Sequence, residues 1–195
     1  MQTLHDTSFA SFEEKKSTFL AYLCPIKEFD MLHQQLKTEH PKAAHIVWAK
    51  RCLNEYRQIV ENNSDDGEPK GTSGPPVLNV MRGFELVDVG ILIVRYFGGI
   101  KLGTGGLVRA YGSSAKEVIA QANIIPFVFK ETVRFSTLYA LIPRFEHYMM
   151  TQSLSGFQRE FGIEGALWHL EMSEAEKSAF IAFAQPFERE GFELL

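Results

Sequence analysis

The stretch "ILIVRYFGGIKLGTGGLVRAYG", Ile91 to Gly112, decides how most of this chain folds. It continues "VDVGILIVRYF" (Val87–Phe97), a nearly unbroken apolar run of the kind that marks a strand covered on both faces. Gly98-Gly99 stop that strand. From Thr104 the period changes: Leu107, Val108, Tyr111, Ala115, Val118, Ile119 and Ala122 recur on one face of a helix. Thr104 is the expected N-cap, because its hydroxyl can accept an orphan amide of the first turn. Arg109, Ser113 and Lys116 share the polar face.

A buried strand, a glycine-rich turn and a helix together make a geometry that binds anions. The first-turn amides and the helix dipole point at the ligand, and glycines let the backbone approach it. The candidate binding set is Arg95, Gly98, Gly99, Lys101, Thr104, Gly105, Gly106, Arg109 and Lys116. The spacing matches no phosphate motif in full. A Walker loop needs Lys where Thr104 stands, and the dinucleotide fingerprint needs Gly where Val108 stands. The alternative is packing alone, with Gly98 and Gly99 for the turn and Gly105 and Gly106 for close helix approach. The residues leave both readings open.

Upstream, "STFLAYLCPI" (Ser17–Ile26) and "HIVWAKRC" (His45–Cys52) read as strands. Between them "FDMLHQQLKTEHP" reads as a helix with Leu32 and Leu36 on one face and Pro41 past its end. The segment "NSDDGEPKGTSGPP" (Asn63–Pro76) fits neither pattern. Arg95 is permanently charged and ends a buried strand, where an unpaired charge is costly. The acidic loop is therefore expected to fold over the glycine-rich joint. At least one of Asp65, Asp66 and Glu68 should pair with Arg95 or accept amides beside it. A solvated linker and a cation role are the alternatives, though the EF-hand ligand pattern is missing. Thr72 or Ser73 is expected to cap a helix that opens on Pro75-Pro76.

Downstream of "IIPFVFKE" the order is strand, helix, strand, strand, helix, strand, the split βαβ arrangement of a ferredoxin-like domain. The boundary falls near residues 126–131, giving domains 1–127 and 128–195. Ser173 with Glu176 forms a capping box for the last helix, which Pro186 closes.

The 195 residues are 45% hydrophobic and 23% charged, as in ordinary folded proteins, and suffice for two cores. The formal charge is −4 and the pI about 5.9, which excludes a uniformly basic nucleic-acid binder. Residues 1–127 carry 14 Lys+Arg and 14 Asp+Glu, and residues 128–195 carry 6 and 10. Anion binding must then rest on a local cluster: Lys101, Arg109 and Lys116 with Lys50 and Arg51. Cys24 and Cys52 form no C-x-x-C pair, the N-terminus has no apolar leader, and "ILIV" is far too short to span a bilayer. A cytoplasmic protein without membrane spans is expected. The six histidines have no metal-ligand spacing, and His45 reads as a hydrogen-bonded structural residue. Ser113 and Lys116 match S-x-x-K, but inside a helix and without the companion motifs. No catalytic residue, metal set or cofactor is assigned.

Taken together, "SDDGEPKGTSGPPVLNVM" and "ILIVRYFGGIKLGTGGLVRAYG" resemble the IMPACT family, in its bacterial YigZ-like branch. The signature is a branched-aliphatic strand running into Arg95, Tyr96, Phe97, Gly98 and Gly99, then Leu102-Gly103, with the acidic loop upstream. The resemblance implies an α+β chain with two parts. The N-terminal α/β two-layer domain would be similar to the second domain of a small-subunit ribosomal protein. The ferredoxin-like C-terminal domain would be similar to the last domain of elongation factor G. Eukaryotic relatives are associated with control of translation through a kinase-activating partner protein, and the family has no agreed catalytic residues. The function so implied is a non-catalytic binding module for RNA, the ribosome or a protein partner, acting in translation or its regulation. The alternative is an enzyme acting on a phosphorylated small molecule or nucleotide at the glycine-rich joint.

Overall fold

In the computed structural model, which describes Met1–Leu195, the chain forms two units, Met1–Phe127 and Val128–Leu195. The first runs β1 (Gln2–Thr3), β2 (Ser8–Glu14), β3 (Ser17–Pro25), α1 (Ile26–Glu39), β4 (His45–Leu53) and β5 (Ile59–Ser64). It continues α2 (Gly74–Gly83), β6 (Val89–Tyr96), α3 (Thr104–Gln121) and β7 (Ile125–Pro126). Five strands make one antiparallel sheet in the order β2-β3-β6-β4-β5, while β1 pairs with β7.

The apolar strand β6 is the centre of that sheet, and its two faces meet different helices. Ile91 and Ile93 join Phe19, Ala21, Leu23, Val47 and Ala49 beneath α2 and α3. Leu92 and Val94 join Cys24 and Ile46 beneath Phe29 and Leu36 of α1. The mixed α/β class is as expected, but the two-layer arrangement is not. Alternate residues of β6 are equally apolar, so each face needs a cover, and α1 adds a third layer. Two strands of the five-stranded sheet went unread in the sequence, β2 and β5, as did the short pair β1 and β7. β2 and β5 are the edge strands, and β5 is exposed along most of its length, so neither needs the apolar run that reveals a central strand.

The second unit runs β8 (Lys130–Leu138), α4 (Ile142–Thr151), β9 (Gln158–Phe161), β10 (Gly165–Ser173), α5 (Glu174–Ala184) and β11 (Phe192–Leu194). Its antiparallel order is β11-β8-β10-β9. The two strands joined by α4 are thus separated by β10, as in a split βαβ unit. Phe135 lies at the heart of its core, stacked on Trp168 and in contact with Phe145, Phe180 and Phe192. Ser173 and Glu176 make the expected capping box. Pro186 lies in the 3-10 turn Gln185–Glu190 that follows α5.

Candidate functional site

Sheet register brings the charged end of β6 against its neighbours. Arg95 is paired across the ladders with Phe19 of β3 and His45 of β4, so all three project from one sheet face. The guanidinium lies 5.5 Å from the Phe19 ring centre and 5.7 Å from that of Phe97. It is buried, and its partner comes from the loop between β5 and α2. Arg95 Nη1 donates to Glu68 Oε1 at 2.5 Å, and the Tyr111 hydroxyl of α3 donates to the same oxygen at 2.8 Å. Burial first, and then the Glu68 charge, push the Tyr111 phenol far above its ordinary range, so it remains a donor. The Nε of Arg95 is buried with no hydrogen-bond partner.

The other two loop acids hold backbone. Asp65 Oδ1 accepts from the amides of Ser73 and Gly74 and from the Ser73 hydroxyl, and its Oδ2 accepts from Gly71 N–H. It thereby closes the loop on itself and caps α2. Ser73 occupies the N-cap position but makes no capping bond with its own side chain, because its hydroxyl donates to Asp65. Asp66 ties the loop to β4. Its carboxylate accepts from Ile46 N–H, and its carbonyl lies 2.6 Å from His45 Nδ1. Positive φ at Asp66 (43°) and Gly67 (85°) turns the chain between these contacts and swings Glu68 toward Arg95.

The glycine-rich joint supplies the facing wall. Gly98 approaches β3 so closely that a Cβ there would collide with the Lys16 carbonyl. Its amide donates to Ser17 Oγ at 3.2 Å. The expected cap of α3 needs correction: Gly103, not Thr104, is the N-cap, and Thr104 is the first helical residue with no capping bond. Gly103 has φ 71°, a turn that favours glycine, and its carbonyl accepts the first intrahelical bond from Leu107. Lys101, Thr104 and Gly105 are exposed and Gly106 is half-buried, so the first turn of α3 is open to solvent. A Cβ at Gly105 would lie 3.6 Å from Arg109 Nη1, so that guanidinium reaches back to the first turn.

Between these walls lies a cavity of about 510 Å³ lined by Ala44, His45, Glu68, Pro69, Arg95, Phe97, Lys101, Leu102, Gly103, Thr104 and Leu107. The sequence-chosen residues therefore divide. Arg95, Lys101 and Thr104 share the cavity with Glu68, whereas Gly98, Gly99, Gly105 and Gly106 do not line it, and Gly106 borders a separate pocket with Phe12 and Arg109. Arg109 and Lys116 share a separate groove between α2 and α3, floored by Val80, Val108 and Gly112. Lys50 and Arg51 do not join the others: Lys50 points to the opposite sheet face, and Arg51, though on the His45 face, lies six residues further along β4. Lys50 sits over the rings of Phe29 and Trp48, and Arg51 is buried against Glu61 and the Leu86 carbonyl. His45, Tyr111, Phe97 and Ser17 were not chosen as site residues. Their roles come from cross-strand register and a loop closure, which local pattern does not encode.

No group of three His, Cys, Asp or Glu side chains is gathered to hold a metal ion, and no helix is long and apolar enough to cross a membrane. The model of the Impact N-terminal domain matches residues 15–119. The chain belongs to the IMPACT family. The matched IMPACT segment runs from the start of β3 into the end of α3, so it holds every residue that lines the cavity. An IMPACT family member of Haemophilus influenzae is 35% identical over 156 residues, 75% of this chain and 76% of that protein. The Escherichia coli member YigZ is 38% identical over 114 residues, 56% of this chain and 55% of that protein. A crystal structure of a hypothetical protein covers 100% of this chain and 95% of its own, with a TM-score of 0.70 and 26% identity.

Proposed function

We propose that this IMPACT-family chain is a non-catalytic binding module that engages RNA, free or on the ribosome, in translation or its regulation. The family's eukaryotic members, associated with control of translation, give the biological setting. The observation that carries the reading is the exposed first turn of α3, with Lys101 before it and the Arg109 guanidinium folded back beside Gly105. Free amides, a helix dipole and two cations form a local positive site on a chain whose net charge is −4. The exposed Phe97 ring at the same cavity offers a surface for a base to stack on. Lys116, about two turns beyond Arg109 along α3, extends the positive surface toward the α2–α3 groove.

The test is binding of single-stranded RNA to the full chain across a salt series. Affinity should fall with salt at a slope reflecting a few phosphates. Lys101→Glu with Arg109→Glu should remove binding, and Lys116→Glu should weaken it. Unchanged binding by the double variant would place the surface elsewhere. A phosphorylated small molecule or nucleotide is the second reading, favoured by the cavity itself, whose volume of about 510 Å³ lies within the range of small-molecule sites. A saturable rise in melting temperature with a sugar phosphate, and none with RNA, would decide for it.

A further inference from the structure

We propose that His45 and Glu68 hold the vicinal ribose hydroxyls of a ribonucleotide, the 3′-terminal nucleotide of an RNA strand, in the cavity beside α3. The inference rests on the RNA-binding reading above and names the part of the RNA that enters.

It starts from two acceptors placed side by side. His45 Nδ1 is 2.6 Å from the Asp66 carbonyl oxygen, an atom that only accepts, so Nδ1 carries the proton. A neutral imidazole then presents Nε2 as a lone pair. Glu68 takes both of its donors, Arg95 and Tyr111, on Oε1. Its Oε2 faces His45 Nε2 at 3.9 Å. The Glu68 side chain is only 4% exposed, and both residues line the cavity. Two acceptors at that separation cannot satisfy each other. They are complementary to a ligand that brings two neighbouring donors, one for each.

A cis-diol is such a group, since its two hydroxyls stand about one hydrogen-bond length apart and each can donate. Carboxylates hold ribose hydroxyls in this way in dinucleotide sites. The rest of the cavity suits the rest of a nucleotide. Lys101 and the first turn of α3 suit the phosphate, and the exposed Phe97 ring suits the base. Within a strand the 3′-oxygen is esterified, so only a terminal ribose offers both hydroxyls. The volume of about 510 Å³ also matches one nucleotide better than a strand passing through.

The experiment uses the unaltered full chain and three oligouridylates that differ only at the 3′ end: a free ribose diol, a 2′-deoxyribose, or a 3′-phosphate. The diol-ended strand should bind about tenfold or more tightly than the other two, the factor that one hydrogen bond to a charged acceptor supports. His45→Ala should remove most of the advantage of the diol-ended strand over the other two, with circular dichroism showing the fold intact. Equal affinity for the three ends would overturn the diol pair and leave the RNA-binding reading standing. If no oligouridylate binds at low salt, the RNA-binding reading fails, and uridine 5′-monophosphate becomes the deciding probe. Stabilisation by it but not by its 2′-deoxy form would keep the pair as a free-nucleotide site, and no stabilisation by either would end both.

Discussion

Arg95 carries a fixed charge to the end of the most apolar strand in the chain, and the consequences are set by Glu68. Removing one partner of a buried pair leaves an uncompensated charge and costs about 3–5 kcal/mol, against roughly 0–1 for an exposed pair. Arg95→Met should therefore lower the unfolding free energy of the full chain in urea by about 3–5 kcal/mol. A loss within the exposed-pair range would show that the contact contributes little. Asp65 supports a pH prediction. Burial pulls its carboxyl upward, but the amides of Gly71, Ser73 and Gly74 and the Ser73 hydroxyl together hold it below the usual aspartate range. A carboxyl depressed in the folded state contributes stability that is fully present above its unfolded pKa, about 4, and is lost as pH falls through the lower folded value. Melting temperature should thus drop as pH falls below about 4, and less steeply in Asp65→Asn, which starts from a lower plateau at neutral pH. An equally steep decline in that variant would assign the acid sensitivity to other carboxyls. The need for an Arg95 partner was legible in the sequence, because a buried lone charge is too costly to leave. Which of Asp65, Asp66 and Glu68 would serve was not, since the turns at Asp66 and Gly67 decide it and three adjacent acids look alike.

The elements that were legible are those with strong periodicity or a strong stop. The apolar run of β6, the helical rhythm of α3 and the capping box of α5 each express one dominant local force. The α3 cap was misread by one position because Thr104 has the preferred cap chemistry, while the backbone turn belongs to Gly103 at φ 71°. The joint before it is fixed by steric closeness. A side chain at Gly98 has no room beside Lys16, so Gly98→Ala should destabilise the chain by about 1–3 kcal/mol, as overpacking does. Gly99 has open space around it but φ 85°, so Gly99→Ala tests backbone strain instead. If Gly98→Ala proves neutral by urea denaturation, the strand end shifts easily and does not fix the cavity wall. In the second unit, Ser173→Ala should cost about 0.5–2 kcal/mol through loss of the cap, seen as a lowered urea midpoint.

At the scale of the whole molecule, two units with separate cores carry unequal charge, and the neutral first unit holds the cavity. The sequence showed that any RNA binding requires a local site, because a net charge of −4 cannot draw RNA by bulk attraction. It could not show that Lys50 faces away from the joint, or that Arg51, at the far end of the His45 face, is held by Glu61, because that depends on which strands become neighbours. The most direct measurement is an NMR titration of the isotope-labelled full chain with single-stranded RNA, following backbone amides. Binding as described should move the amides of Lys101, Gly103, Thr104, Gly105 and Gly106 together with those around His45 and Glu68. Shifts confined to residues 128–195, or to the β4 face carrying Lys50, would contradict it.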